Sequence, residues 1–494
     1  MQESESLLWN WELYTVQTLG RLSMNTVPPD RAKILRRAIA PVLSDFIKSS
    51  ETAAADFHVV EIAAAIAIGQ LRKLLMTAGL TAAAEDTPSF HCPKCSRLLG
   101  AWKLRPRTIA TAEGEGSYPA VRYRCSECAE DHYPIEKANG IEGDQFTTGA
   151  KALIADSAAD MPYAHVSVQL RGSRAVHVSP KEVDRTAREV ADWRAKEEKA
   201  LVDAVFGDKA AKARQEDIDL LALMPDLHPM VGWDCSTPAV ISVDGAMVRS
   251  PQKGPDGLLW FECRAGIIAP ADSASRGSKA YIGGILSPDD LFDQLAAVWR
   301  RGDNAERTSL FVADGARWIW DRVRLHFPKA IEVLDIYHAG EHVGSAAAAC
   351  WGDGSAEAKL WRSRAREMLM REGGPQHVLR RLIEVLRAGD AVNAVQVRKE
   401  FRYLFTHRHR MDYARLHARG FPIGSGVMES SINQASVSRL RRPGMKWTRD
   451  GAHAVLGLRC ARLSGTLSAT TDRKHQSLQD SLKPYLQNTH LIAA

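Results

Sequence analysis

The sequence predicts a multidomain α/β protein. Three observations carry that expectation. The chain has 494 residues, more than a single hydrophobic core serves, so several domains are expected. Five β-branched and aromatic segments fall between residues 239 and 338, with helical periodicity on both sides of them. A short stretch of paired cysteines interrupts the first helical part. Charged residues make up 25% of the chain, an ordinary share that indicates neither a disordered nor a membrane class. The longest apolar stretch, "VVEIAAAIAIGQL" (59–71), contains Glu61 and is too short to span a bilayer. The opening "MQESESLLWNWE" lacks a charged-then-apolar signal layout. No membrane partner and a cytoplasmic location are therefore expected. Eight cysteines, four of them in two CxxC pairs, fit that compartment better than a secreted disulfide framework.

Residues 1–88 read as a helical N-terminal region. "RAKILRRAIAPVLSDFIKS" and "HVVEIAAAIAIGQLRKLLMTA" repeat apolar residues every three or four positions, and Gly79 followed by "AAAEDTPS" is expected to end the region. Residues 89–136 hold Cys92-x-x-Cys95 and Cys125-x-x-Cys128, with 125 − 95 − 1 = 29 residues between the pairs. Tetrahedral Zn²⁺ takes four thiolates, and two knuckles supply them with room for a β-hairpin between, so a structural zinc ribbon is expected. Lys94, Arg97, Lys103, Arg105, Arg107, Arg122 and Arg124 make it either a plain staple or a clamp on a DNA backbone.

Residues 137–236 begin with "KANGIEGDQFTT", which reads as a linker, and turn helical from 149 to 205. Ser179-Pro180-Lys181-Glu182 is a helix start, with Ser179 as cap, Pro180 in the first turn and Glu182 closing a capping box. A helix, a short connector with a Gly and a capped second helix resemble a helix-turn-helix, with Lys181, Arg185 and Arg188 placed to meet DNA. An ordinary solvated helix pair fits the pattern equally.

From 237 the strands begin: 239–248, 258–269 and 279–286 adjacent, then 308–315 and 330–338 alternating with helices, a mixed α/β sheet. Asp244 in "VISVDGAMV" and Asp314 in "LFVADGARW" are each expected to end a strand, with a Gly following. A carboxylate there lies at the carboxyl edge of the sheet, where α/β proteins bind ligands; Asp-Gly is also a turn signal. Asp335 and His338 in "LDIYH" are expected at the same edge, either orienting a phosphate or water or forming a buried structural pair. Residues 341–415 return to helix. "PIGSGVMESS" (422–431) then launches another helix, with Glu429 in its first turn.

Ser425 lies in G-S-G, neither a G-x-S-x-G elbow nor a Walker loop. A first-turn Glu can also be a cap. If Glu429 converges with Asp244 and Asp314, three carboxylates repel one another unless cations sit among them. Two Mg²⁺ (or Mn²⁺) ions meet that demand and suit attack on a phosphodiester. Between Phe401 and Gly465 twelve Lys/Arg face three acids, 12 − 3 = +9, a bias that suits phosphate neutralisation.

The segments "VISVDGAMV", "FVADGARWIWDRVRLHFPKAIEVLDIYHAGEH" and "GFPIGSGVMESSINQASVSRLRRPGMKWTRDGAHAVLGLR" resemble bacterial insertion-sequence transposases of the DDE class, the Kra-type group first and Mutator-like enzymes more distantly. The likeness covers residues 238–465. It implies an RNase H-like core in two parts, 237–345 and 416–465, around an all-helical insertion at 346–415, with a tail at 466–494. It makes Asp244, Asp314 and Glu429 a metal-binding triad and Asp335-x-x-His338 the motif after the second Asp. Trp351 or Trp361 of the insertion would stack on a flipped base. Arg439, Arg441, Arg442, Lys446 and Trp447 would touch DNA backbone. The implied activity is metal-dependent cleavage at terminal inverted repeats and strand transfer into target DNA, by a homodimer or larger assembly at the nucleoid. Two alternatives remain: an RNase H-like nuclease or resolvase without strand transfer, and a zinc-ribbon regulator with an inactive core.

Overall fold

A computed structural model describes residues 29–52, 56–85, 89–207, 237–255, 257–271, 279–301, 307–424 and 437–485. Ser425 and Glu429 lie outside these residues, as do Cys235 and residues 1–28. The described chain is a mixed α/β protein that divides into two compact units, Met1–Ile154 with Ala164–Glu182 and Thr471–Ala494, and Ala155–Tyr163 with Val183–Thr470.

The first unit opens with two helices, α1 (Pro29–Thr52) and α2 (Phe57–Glu85). Gly79 does not end α2, which runs on to Glu85; alanines dominate that last turn and a single Gly costs a helix only about 1 kcal/mol. The cysteine-paired stretch forms short strands β1 (Phe90–His91) and β2 (Leu98–Leu99), a long hairpin of β3 (Lys103–Thr111) and β4 (Gly114–Arg124), and β5 (Asp131–His132) against β4. The hairpin occupies the interval that the cysteine spacing leaves for it.

The stretch at 137–148 is not a linker. After the short helix α3 (Pro134–Ala138), Phe146 is fully buried and bridges to Ala110. Arg107 donates to the carbonyls of Ile141 and Asp144, and Lys151 pairs with Asp144 at 3.0 Å. Its polar composition hides one aromatic anchor and a set of satisfied backbone carbonyls. Helices α4 (Thr148–Asp160) and α5 (Tyr163–Arg174) follow. Gly172 lies inside α5, and the residue in the left-handed conformation that ends it is Ala175, φ 53°. The start of α6 (Pro180–Phe206) is the expected capping box: the Ser179 amide donates to Glu182 Oε2 at 2.8 Å, and the Glu182 amide donates to Ser179 Oγ at 3.3 Å.

The second unit is built on a five-stranded sheet of β6 (Ala239–Arg249), β7 (Trp260–Pro270), β8 (Ala280–Gly284), β9 (Ser309–Ala313) and β10 (Ile331–Leu334), in the order β10-β9-β6-β7-β8. β6, β7 and β8 pair antiparallel, whereas β6, β9 and β10 pair parallel. The parallel pairs need crossovers, and helices α7 (Pro288–Arg301) and α8 (Arg317–His326) supply them. Side chains alternate along β6. Ile241 and Val243 pack with α7, α8 and the end of α6 on one face, while Val240 and Val248 join the core on the other.

That second face carries α9 (Ile336–Trp351) and α15 (Arg449–Leu463). Between them lie α10 (Ala356–Met370), α11 (Gly374–Ala388), α12 (Ala394–His407), α13 (Tyr413–Ala418) and α14 (Val437–Leu440), and α16 (Leu467–Leu482) follows α15. Leu369, Leu382, Val397 and Leu404 belong to the same buried cluster as Val312 and Val333, so helices α10–α12 share one core with the sheet. Each such buried Leu or Val contributes about 1.5–3 kcal/mol. No helix among the described residues is long and apolar enough to cross a membrane.

Candidate functional site

Three aspartates follow shortly after the last couples of the parallel strands. The last couple of β6 and β9 is Ile241–Phe311, and Asp244 and Asp314 each come three residues later (244 − 241 = 3; 314 − 311 = 3). The last couple of β9 and β10 is Ala313–Leu334, and Asp314 and Asp335 are the next residues. Asp244 does not end its strand as expected. It sits opposite Ala265 of β7, and β6 continues to Arg249 because β7 keeps pairing with it after β9 has turned away. Asp314 does follow the last residue of β9. Both are half-buried and share the residue parity of Val240 and Val312, whose side chains face α9 and α15.

The carboxylates are differently engaged. Asp244 Oδ1 accepts from the Gly245 amide at 2.7 Å. Asp314 Oδ1 accepts from the Ala316 amide at 2.8 Å, a turn closed by its own side chain. Asp335 is 4% exposed and caps α9, accepting from the amides of Tyr337 at 2.6 Å and His338 at 3.2 Å. It therefore begins a helix instead of ending a strand with its side chain at the edge. His338, in the first turn of α9, stays partly exposed, with Nδ1 3.6 Å from Glu341 Oε2. Oxygen donors of this kind suit hard divalent cations, and Asp244 and Asp314 each carry them three residues past the last couple of β6 and β9. The three aspartates do not form a close three-ligand group.

Helix α12 reaches the same level with residues that their sequence separation conceals. His342 of α9 and Tyr403 of α12 stack at 3.6 Å between ring centroids, 19° apart. His342 Nδ1 is 2.6 Å from Glu400 Oε2, and Gln396 donates to Glu400 Oε1 at 2.6 Å. The Tyr403 phenol fills the space over Gly315, where any Cβ would overlap it, so Gly is required beside Asp314. The Gly315 backbone approaches the phenol oxygen, yet no group meets hydrogen-bond geometry with that buried oxygen among the described residues. Burial, and then the Asp314 charge, push its pKa well above the usual tyrosine value, so it is a neutral O–H.

The loop is also held from below. Trp320 Nε1 donates to the Asp314 carbonyl at 2.8 Å, and Arg410 lies over the Trp320 ring at 4.2 Å. Arg410 donates to Glu332 Oε2 at 2.6 Å and to His407 Nδ1 at 2.9 Å. Burial, aided by the Arg410 charge, lowers the His407 pKa to about 4, so the ring is neutral near pH 7. Sequence reasoning misses these residues because the partners on α9 and α12, such as His342 and Glu400, lie 400 − 342 = 58 residues apart. Their signal is a polar and aromatic stripe at helical spacing, His338 and His342 on one helix and Glu400, Tyr403 and His407 on the other.

The segments flanking Glu429 are tied to this edge. The Ile336 amide donates to the Ile423 carbonyl at 3.1 Å, and a Cβ on Gly424 would meet the Tyr337 ring at 2.8 Å. On the far side the Trp447 amide donates to the Arg249 carbonyl at the end of β6, at 2.9 Å.

The basic candidates divide. Arg439 is 1% exposed, lies over the Trp447 ring at 4.8 Å and donates to the Ala158 carbonyl at 3.2 Å. Trp447 is buried and donates to the Leu440 carbonyl at 3.1 Å. The expected backbone contacts therefore do not come from Arg439 and Trp447, which form an internal stack with Tyr163. Arg441, Arg442 and Lys446 are exposed, although Arg442 is tethered to the Ser438 and Asp160 carbonyls. Lys181 and Arg185 are exposed; Arg185 pairs with Glu189 at 3.7 Å, and Arg188 with Asp184 at 3.0 Å. Trp351 and Trp361 pack against each other, ring centroids 4.9 Å apart.

In the first unit Cys92, Cys95, Cys125 and Cys128 place their sulfurs within 4.8 Å of one another. The two knuckles repeat one backbone design. The Cys92 amide donates to the Arg97 carbonyl and the Cys125 amide to the Glu130 carbonyl, both at 2.9 Å. The residue after each second cysteine is left-handed, Ser96 at φ 58° and Ala129 at φ 55°. The Cys128 amide leads in lowering the Cys125 thiol to about 7, while the neighbouring Cys95 thiol leads in raising Cys128 to about 12. Four sulfurs this close share protons unless a cation replaces them, and the donor set fits a structural Zn²⁺. The surrounding cations are largely matched by acids: Lys94 with Glu130, Arg97 with Glu127, Arg107 with Glu136, and Arg122 and Arg124 with Asp131.

No protein-family model matches the chain, and no curated protein matches it either.

Proposed function

We propose that the chain is a DDE-class DNA transposase that binds the inverted repeats at the ends of its element, cleaves there and joins the freed 3′ ends to target DNA. The observation that carries this reading is that Asp244 and Asp314 each come three residues after the last couple of two adjacent parallel strands. The sheet order, with antiparallel β7 and β8 on one side of β6 and parallel β9 and β10 on the other, supports an RNase H-like core. Helices α10–α12, inserted before Glu429, support the two-part organisation.

Asp244, Asp314 and Glu429 would hold Mg²⁺ or Mn²⁺. A bound ion pair supplies positive charge to the attacking and leaving oxygens of a phosphodiester. The chain's own residues set the rest. Asp244 is fixed by its central strand, and Asp314 by the Trp320 and Ala316 hydrogen bonds. His338, partly exposed in the first turn of α9, would orient a water or a leaving oxygen. Arg441, Lys446 and Lys181 are exposed cations that would meet phosphates. The four-cysteine cluster would hold Zn²⁺ and fix the ribbon, which with the α5–α6 segment would read the element's ends. Both ends must be handled together, which asks for a dimer or larger assembly.

The test is cleavage and joining of labelled duplexes carrying the inverted repeats that flank the gene, with Mg²⁺ or Mn²⁺, by wild type and by Glu429→Gln. The reading expects nicking at the repeat end and transfer into a second duplex, both lost in the variant. DNA binding without metal-dependent cleavage would overturn it, and cleavage without joining would leave a nuclease.

A further inference from the structure

The Tyr403 hydroxyl is a buried donor with no hydrogen-bond partner among the described residues, seated on the residue next to Asp314. A buried donor left unmatched is costly, so such groups are rare without a further role. Its surroundings fix it closely. His342 stacks on its ring, Glu400 and Gln396 hold His342, and the His407 ring lies 4.8 Å from it. The ring cannot turn aside without breaking that stack. Its hydroxyl sits over Gly315, the residue next to Asp314. One Asp314 oxygen already accepts from the Ala316 amide.

We propose that Tyr403 is a positioning residue for Asp314: its O–H donates to the Asp314 carboxylate when that group turns to engage a cation, fixing the rotamer that binds. The inference rests on the reading of Asp244 and Asp314 as a cation site. It gives α12 a task beyond covering the core. The helix completes the carboxylate's hydrogen bonding from a point 403 − 314 = 89 residues later in the chain. Gly315 is then part of the same device, since only a residue without a side chain lets the phenol come so near.

The experiment compares wild type, Tyr403→Phe and Asp314→Asn as full-length protein. Two readouts are taken: Mn²⁺ binding by titration calorimetry without DNA, and the unfolding midpoint without cation. Tyr403→Phe removes one oxygen that has no partner among the described residues of the resting protein. The proposal expects an unfolding midpoint equal to or above wild type, with Mn²⁺ bound about tenfold more weakly. A Tyr403→Phe protein that binds Mn²⁺ like wild type, while Asp314→Asn binds poorly, would overturn the role of Tyr403 and leave the cation site standing. A lowered midpoint with unchanged Mn²⁺ affinity would also overturn it, by showing a purely structural phenol. Equal binding by wild type and Asp314→Asn would remove the cation site and the proposal together.

Discussion

Asp314 and Asp335 are neighbours in register across two parallel strands, yet their carboxylates do different work. Asp335 has its carboxylate in the first turn of α9, while Asp314 keeps one oxygen on its own turn, beside the Gly315 on which Tyr403 sits. Neighbouring acids of one row thus separate into a helix cap and a candidate ligand. Asp335→Ala should therefore lower stability by about 1 kcal/mol through the lost cap, while any metal-dependent cleavage is partly retained. Thermal unfolding and cleavage assays on the same preparation check it.

Asp244→Asn and Asp314→Asn remove charge without changing shape. If the proposed function holds, each reduces metal-dependent cleavage by about a hundredfold or more, with the unfolding midpoint little changed. Retained cleavage in either variant would remove that residue from the site.

Removing metal from the four-cysteine cluster should act on the first unit. Purified protein is expected to hold zinc at a ratio near unity, and Cys125→Ser or a strong chelator should abolish it and lower the unfolding midpoint. Elemental analysis and circular dichroism decide this. Zinc-free protein of unchanged stability would make the cysteines a site without a structural task.

Arg439 and Lys446 are seven residues apart and should respond oppositely. Arg439→Ala leaves a hole beside Trp447 and Tyr163 and should cost about 2–4 kcal/mol of stability. Arg441→Ala with Lys446→Ala should leave stability almost unchanged but weaken DNA binding, lowering the salt slope by about 0.9 for each phosphate no longer neutralised. Denaturant melts and binding titrations at several salt concentrations measure the two effects.

His407 makes stability depend on acid. Its folded pKa lies below the usual histidine value, at about 4, so between roughly pH 6.5 and 4 the unfolded chain binds the proton and the folded protein does not. Its contribution is complete above about pH 6.5 and is lost as the pH falls toward 4. His407→Gln should flatten the decline of the unfolding midpoint over that window. An unchanged slope would place the acid sensitivity elsewhere.

Much of this is legible in the sequence where the signal is local. Runs such as "VISV" and "LFVA" mark strands by branching, the CxxC pairs mark knuckles by spacing, and Ser179 with Glu182 marks a helix start. What escapes is set by tertiary pairing. The sequence of β6 does not say that β7 will carry it five residues past Asp244. Arg439 reads as one more surface cation until the ring beneath it is seen. Tyr403 has no local motif, because its meaning comes from a glycine 403 − 315 = 88 residues earlier.

The seat of Tyr403 on Gly315 also has a consequence in time. β6 and β9 can pair once the chain has been made as far as residue 313, but the loop carrying Asp314 lacks its stacked support until α12 is finished at residue 407. At a synthesis rate of about 5–20 residues per second, several seconds separate the two events. A ribosome-bound chain therefore carries its acidic residues before it can hold them in place, and the site matures only near the end of synthesis.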